Sequence, residues 1–309
     1  MVNLAHPELR QPELRRMLAA YLVGAEVESR LLTVRDLGDR FGASVGAVQG
    51  ALTWLAKSGA VTIESRRGAG MVLKARSVGE LWSAAQGEPL VIALPLPSNM
   101  RAQGLATGIK AAFAAKGVEA FLIFLRGSRH RLRALHSGRC HAVVMSALGA
   151  REACGPNEAV AIELPAQTYT EAHRVYYVDD RVGRDRKLRV VIDRDSADLQ
   201  RLSELEFEDQ DVEWVPATYM QFIQLMQGGR ADAAVWDIDE TIGRLPADFL
   251  SRPLSPRVLD RLGDSNTRAT VVIRREDDVT RAVITDCLGG FEVVDVQRDV
   301  MAGRRVPEY

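Results

Sequence analysis

Cysteine is nearly absent from this chain: three residues in 309, Cys140, Cys154 and Cys287, with no CxxC spacing and one thiol left over from any pairing. That excludes a disulfide framework and suits a reducing cytoplasm. Long hydrophobic runs are missing too. No uninterrupted apolar stretch has the length of a bilayer-spanning helix, and the first residues, with Pro7, Glu8, Arg10 and Glu13, lack the apolar centre of a signal peptide. A soluble cytoplasmic protein without membrane contact is expected. Net charge is small, −1 at neutral pH, which speaks against coating nucleic acid over the whole surface. The glycines of 104–108 come without the Lys-Ser/Thr pair of a Walker phosphate loop. No Ser-His-Asp or Cys-His order is legible. His130 stands among Arg129, Arg131 and Arg133, which reads as a basic helix face rather than a metal site. Neither enzyme machinery nor a metal or cofactor is expected.

Charge is present, but unevenly. Between Arg30 and Arg76 eight basic residues face only Asp36, Asp39 and Glu64, so this stretch is positive by five while the remainder is acidic. A small basic module on an acidic body confines phosphate attraction to one face. The same stretch has helical punctuation. Leu14, Met17, Leu18, Tyr21 and Leu22 recur at helical spacing over 8–23. Thr33 with Asp36 forms a capping box ahead of a second helix bearing Leu37 and Phe41. Gly42 ends it, and Ser44 caps a third helix whose apolar face is read as Val45, Val48, Leu52 and Leu55. Residues 61–65 alternate as a strand, Arg66-Arg67-Gly68-Ala69-Gly70 turns, and Met71-Val72-Leu73 returns. Two short helices across a glycine turn followed by such a hairpin predict a winged helix-turn-helix, mainly α with a β-hairpin wing.

Leu31, Thr33, Arg35, Asp36, Leu37, Arg40-Phe41-Gly42-Ala43-Ser44 and the glycine-punctuated wing together resemble the GntR family of DNA-binding domains. The resemblance implies that Thr33, Arg35, Ser44, Gln49 and the wing residues Arg66, Arg67, Gly68 and Gly70 face double-stranded operator DNA. The sequence departs from the family after Ser44: Val45-Gly46-Ala47 replaces a position commonly held by arginine, and Gln49 replaces another. Arginine-to-guanine readout is therefore missing there, and Gln49 suits adenine instead.

Residues 1–75 form this first domain, and 76–88 a linker with a short helix capped by Ser77 and Glu80. Residues 89–309 form the second domain. In it short apolar strands alternate with helices from Leu90 onward, predicting parallel α/β sheets. Ser137-Gly138-Arg139-Cys140-His141 leading into 142–145 is echoed by Gly228-Gly229-Arg230-Ala231-Asp232 leading into 233–236. Such an echo implies two similar lobes.

This second part resembles type-2 periplasmic-binding-protein folds and the effector domains of LysR-type regulators. Ile92-Ala93-Leu94-Pro95-Leu96-Pro97, the 104–110 helix, Arg126-Gly127 and Asp193 with Ser196-Ala197-Asp198 look like the YhfZ group of regulators. The expected fold is thus α/β, an N-terminal winged helix-turn-helix followed by a two-lobed binding-protein-like domain. Ligands of open α/β sheets lie beyond the carboxyl ends of strands. That rule selects Pro95, Ser98, Asn99, Arg101, Arg126, Gly127 and Ser146 from one lobe, and Asp193, Arg194, Ser196 and Asp237 from the other. Hydroxyls and arginines of this kind suit a small polar or anionic metabolite. The expectation is a ligand-responsive transcription regulator, homodimeric because helix-turn-helix proteins read two-fold operators. The alternative is an enzyme or metabolite-binding protein on the same fold, with the winged helix used for oligomerisation.

Overall fold

A capped helix begins the described part of the chain, which in this computed structural model comprises residues 10–66, 70–178, 187–218, 221–241 and 243–309. Helix α1 (Gln11–Val23) buries Leu14, Leu18 and Leu22. In α2 (Val34–Phe41) the Thr33 hydroxyl accepts from Asp36 N at 3.2 Å, and the Asp36 carboxylate accepts from Thr33 N at the same distance. Gly42 closes that helix at φ +63°, a conformation cheap only for glycine. Helix α3 (Val45–Lys57) starts with the Ser44 hydroxyl accepting from Ala47 N and buries Val48, Ala51, Leu52 and Leu55. Val45 departs from the sequence reading. It is 50 % exposed: it stands in line with Leu52 two turns on, but it precedes Val48, where the buried stripe of this helix begins. Strands β1 (Val61–Arg66) and β2 (Gly70–Arg76) pair antiparallel. The tip residues Arg67 and Gly68 lie outside the described residues.

These elements belong to one of two compact units, which gathers the chain through Leu90 together with Ala112–Phe121 and Asp277–Phe291. Within it α4 (Val78–Gln86) packs on α1, burying Leu81 and Trp82, and α12 (Asp278–Leu288) packs on both helices. Gly79 meets the chain at 116–117 backbone to backbone: a Cβ there would lie 2.1 Å from the Gly117 carbonyl oxygen. Asp286 accepts from Arg76 and, at 3.2 Å, from Lys116.

The second unit holds two five-stranded sheets. The first runs β4 (Ala120–Phe124), β3 (Leu90–Leu94), β5 (Ala142–Ser146), β12 (Ala269–Arg274), β6 (Glu158–Glu163). The second runs β11 (Leu250–Pro253), β7 (His173–Tyr177), β10 (Ala233–Asp237), β8 (Leu188–Ile192), β9 (Val212–Pro216). Neither is purely parallel, as the strand-helix alternation predicted. β12 runs antiparallel to β5 and β6, and β7 antiparallel to β10 and β11. The cause is connectivity: the chain leaves the first lobe after β6 and returns to it at β12, so β12 does not follow β5 or β6 through a crossover helix of its own lobe, the connection that imposes parallel pairing. The glycine echo has a structural counterpart. Gly138 (φ +70°) and Gly229 (φ +65°) each precede the middle strand of a sheet, β5 and β10. Gly104 and Gly108, in α5 (Met100–Ala115), serve packing: a Cβ on either would come within 3.0 Å of Gln297 or Val293, in and at the start of α13 (Val293–Met301).

Gly79→Ala is expected to destabilise the protein by about 2 kcal/mol or more, because the added methyl collides with backbone. Gly50→Ala is the control. It has nothing within 4 Å of its Cβ position and should gain about 0.5–1 kcal/mol from helix propensity. Urea unfolding of both variants reads the contrast.

Candidate functional site

The strand ends of the two lobes face one another across a cavity of about 70 Å³, room for several waters or a compact ligand. Pro95 and Leu96, beyond β3, Arg126 and Gly127, beyond β4, and Arg131 of α6 (Ser128–His136) come from the first lobe. Asp193 and Ser196 beyond β8, Asp198 and Leu199 of α8 (Ala197–Glu206), and Trp236, Asp237 and Glu240 come from the second. Tyr169 enters from the segment that crosses between lobes, and His173 from the first position of β7, where that segment ends.

Of the positions selected from sequence, Pro95, Arg126, Gly127, Asp193, Ser196 and Asp237 line this cavity. The others hold its walls. Ser98 donates to Glu240 Oε1 at 2.9 Å, and Asn99 accepts from Ala102 N as the cap of α5. Arg101, 9 % exposed, donates to both Asp239 carboxylate oxygens (3.0 and 3.1 Å), to Gln167 O (2.7 Å) and to Glu171 (3.3 Å). Ser146 donates to Asp198 Oδ2 at 2.6 Å and accepts from Gly149 N, and Arg194 presents its carbonyl to Arg129 Nε. Gly127 is held at φ +71°, and a Cβ there would stand 2.7 Å from Asp195 O. Arg126 pairs with Asp195 at 3.1 Å.

Sequence reading missed Leu96, Arg131, Tyr169, His173, Asp198, Leu199, Trp236 and Glu240. Asp198 carried a signal, since it belongs to the Ser196-Ala197-Asp198 motif. Asp239 does not continue the β10 face, because the chain turns helical at α10 (Ile238–Thr241). Glu240 thereby swings back to the cavity, with Trp236 Nε1 donating to it at 3.0 Å.

Carboxylates dominate the walls: Asp193, Asp198, Asp237 and Glu240 against Arg126 and Arg131. Burial, with Glu240 and Asp239 close by, raises Asp237 well above the usual carboxylate range, and burial likewise raises Glu240. Burial also pushes His173 down to about 4 despite the nearby carboxylates of Asp198 and Asp239. Asn266 Nδ2 donates to its Nδ1 at 3.0 Å, so Nε2 carries the proton of the neutral ring.

On the helix-turn-helix, Thr33 and Ser44 spend their hydroxyls on capping, while Arg35 and Gln49 are exposed. Gly70 stands at φ +80° beside the Arg30 guanidinium.

The YhfZ C-terminal domain model matches residues 78–309, and a helix-turn-helix domain model matches 27–71. The protein YhfZ of Escherichia coli (strain K12) is 29 % identical over 294 residues, 94 % of this chain and 95 % of that one. The crystal structure of YhfZ from Shigella flexneri superposes with a TM-score of 0.63 at 28 % identity, covering 75 % of this chain and 98 % of the other. The periplasmic domain of B. pertussis BvgS gives 0.50 at 13 % identity over 75 % of this chain and 45 % of that one, a likeness of fold. Among the described residues no helix is long and apolar enough to cross a membrane.

His173 makes stability depend on pH. Neutral when folded, it takes up a proton on unfolding, so its contribution is present above about 6.5 and is lost as pH falls toward about 4. Asp237 and Glu240 act with the opposite sign, so the measurement is a difference. Between about pH 7 and pH 5 the wild type should lose about 2 kcal/mol more unfolding free energy than His173→Gln. Urea titrations at the two pH values read this, and parallel losses would refute it.

Proposed function

The chain belongs to the family of the YhfZ C-terminal domain, and from that premise we propose that it is a ligand-responsive transcription regulator acting in the cytoplasm. Its winged helix-turn-helix, GntR-like by motif, docks on operator DNA, and a small molecule binds between the lobes of the larger domain. The carrying observation is the union, in one chain, of a helix-turn-helix with a cavity that collects ionisable side chains from both lobes. A homodimer on a two-fold operator is part of the proposal.

The wall chemistry moves the ligand expectation away from an anion. Four carboxylates against two arginines, with Arg126 already paired to Asp195, favour a compact polar molecule bringing positive charge of its own. Among the described residues no group of three His, Cys, Asp or Glu is placed to hold a metal ion, so an organic ammonium or guanidinium fits better. Such a group would offset the burial, and the neighbouring charges of Glu240 and Asp239, that hold Asp237 above the usual carboxylate range.

A thermal-shift panel of amino acids, polyamines, sugar acids and phosphorylated metabolites tests this reading. A cationic member at a hundredfold excess over its Kd should add about 2.7 kcal/mol of apparent stability. Asp237→Asn, close in shape to the protonated acid, should weaken that ligand at least tenfold while leaving operator binding unchanged. Turnover of the ligand would replace the regulator by an enzyme, and preference for anions would overturn the ligand class.

A further inference from the structure

The outward face of α3 bears almost no charge of its own, although the Arg15 guanidinium of α1 stands over the Trp54 ring at 4.6 Å. Val45, Gly46, Gln49, Gly50, Thr53 and Trp54 are all exposed along it, and the first charged side chain is Lys57 in the last turn. Their helical angles fall within one half of the circumference, opposite the buried stripe of Val48, Ala51, Leu52 and Leu55. A Cβ on Gly46 or Gly50 would meet nothing within 4 Å. Bare backbone at the centre of an exposed helix face allows close approach to a partner surface.

The groups on this face have a definite recognition chemistry. The Gln49 side-chain amide makes no hydrogen bond to the described residues, and its donor and acceptor match the N6 amino and N7 of adenine. Thr53 Oγ1 donates to Gln49 O at 2.8 Å, so its hydroxyl is committed to its own helix and its methyl is the group on offer. Val45, half exposed, adds a second apolar contact. Apolar side chains in the major groove meet the thymine 5-methyl, whereas guanine is read by Arg or Lys on its O6 and N7. Neither type occurs over the first three turns of α3.

We propose that α3 reads A·T base pairs, with Gln49 on adenine and Val45 and Thr53 against thymine methyl groups, at the positions where arginine would read guanine. This rests on the DNA-binding reading above. DNA, rather than a second protein surface, is the occupant because the segment that contains α3 carries an excess of five positive charges in sequence; Lys74 and Arg76 are paired with Glu28 and Asp286, while the exposed Arg30, Arg35, Arg40 and Lys57 provide phosphate attraction around a reading face without charges of its own.

Selection of binders to the purified full-length protein from a duplex pool with a randomised core supplies the test. The expected half-site places A·T pairs opposite α3. Deoxyuridine for thymidine removes the 5-methyl, and 7-deazaadenine removes N7. Each should weaken binding about tenfold at a contacted position. Val45→Ala should shrink the deoxyuridine penalty and leave the 7-deazaadenine penalty intact, and Gln49→Ala the reverse. Both positions are exposed, so unchanged thermal melts accompany these shifts. A selected half-site with G·C opposite α3, or penalties that ignore the two substitutions, overturns the proposal. Failure to enrich any sequence, with no salt-dependent binding, would instead remove the DNA-binding reading itself.

Discussion

Arg101 and Asp239 form the contact on which the shape of the cleft depends. The guanidinium of α5, in the first lobe, grips the carboxylate of α10, in the second. Its remaining donors hold Gln167 and Glu171 in the segment crossing between them. Both side chains are about nine-tenths buried. A pair this far from water is weak evidence of net stability, but removing either member leaves an uncompensated charge costing about 3–5 kcal/mol. Thr170 and the Glu171 N–H also donate to Asp239, and Gln297 of α13 donates to the carbonyls of Arg101 and Thr168. The pivot is therefore a network of satisfied groups, and such networks specify one arrangement. In the cavity walls Glu240 accepts from Ser98 and Trp236, but among the described residues neither it nor Asp237 has an ion-pair partner.

The parts of this architecture that were legible in sequence are those set by local rules. The Thr33–Asp36 capping box, the Ser44 cap and the left-handed Gly42 follow from residues within four positions of one another. The paired glycine-to-strand motifs announced two lobes because each lobe repeats the same helix-end requirement ahead of its middle strand. Strand direction was not legible, since it depends on where the chain crosses between lobes. The cavity was half legible for the same reason. Strand-end residues such as Pro95, Arg126 and Asp193 obey a rule of open sheets, but Tyr169 lies on the crossing segment and His173 at the start, not the carboxyl end, of a strand. Val45 has the angular position of a buried residue, in line with Leu52, but it precedes Val48, where the buried stripe begins, and helical spacing alone does not show where such a stripe ends.

The first compact unit has an unexpected composition. The family match begins at residue 78, so α4 and α12 belong to the matched region, yet both pack on α1 of the DNA-binding module. Backbone contact at Gly79 and the shared carboxylate of Asp286 tie the three segments of this unit together. The module therefore shares one compact unit with α4 and α12. Its first helix rests on two helices that continue directly into sheet strands, α4 into β3 and β12 into α12, with only a few residues between.

That continuity constrains how a ligand could act. A ligand shifts an equilibrium only through contacts that differ between states. The contacts available to change are those the lobes make with each other: Ser98 with Glu240, Ser146 with Asp198, Arg126 with Asp195. Each joins a side chain of the first lobe to a carboxylate of the second, and Asp198 and Glu240 also line the cavity. On the proposed reading, a cationic ligand seated there would compete for the same carboxylates and so alter the bonds between the lobes. Because β12 runs into α12 across three residues, a change in the first lobe's sheet has a short covalent path to the helix on which α1 rests.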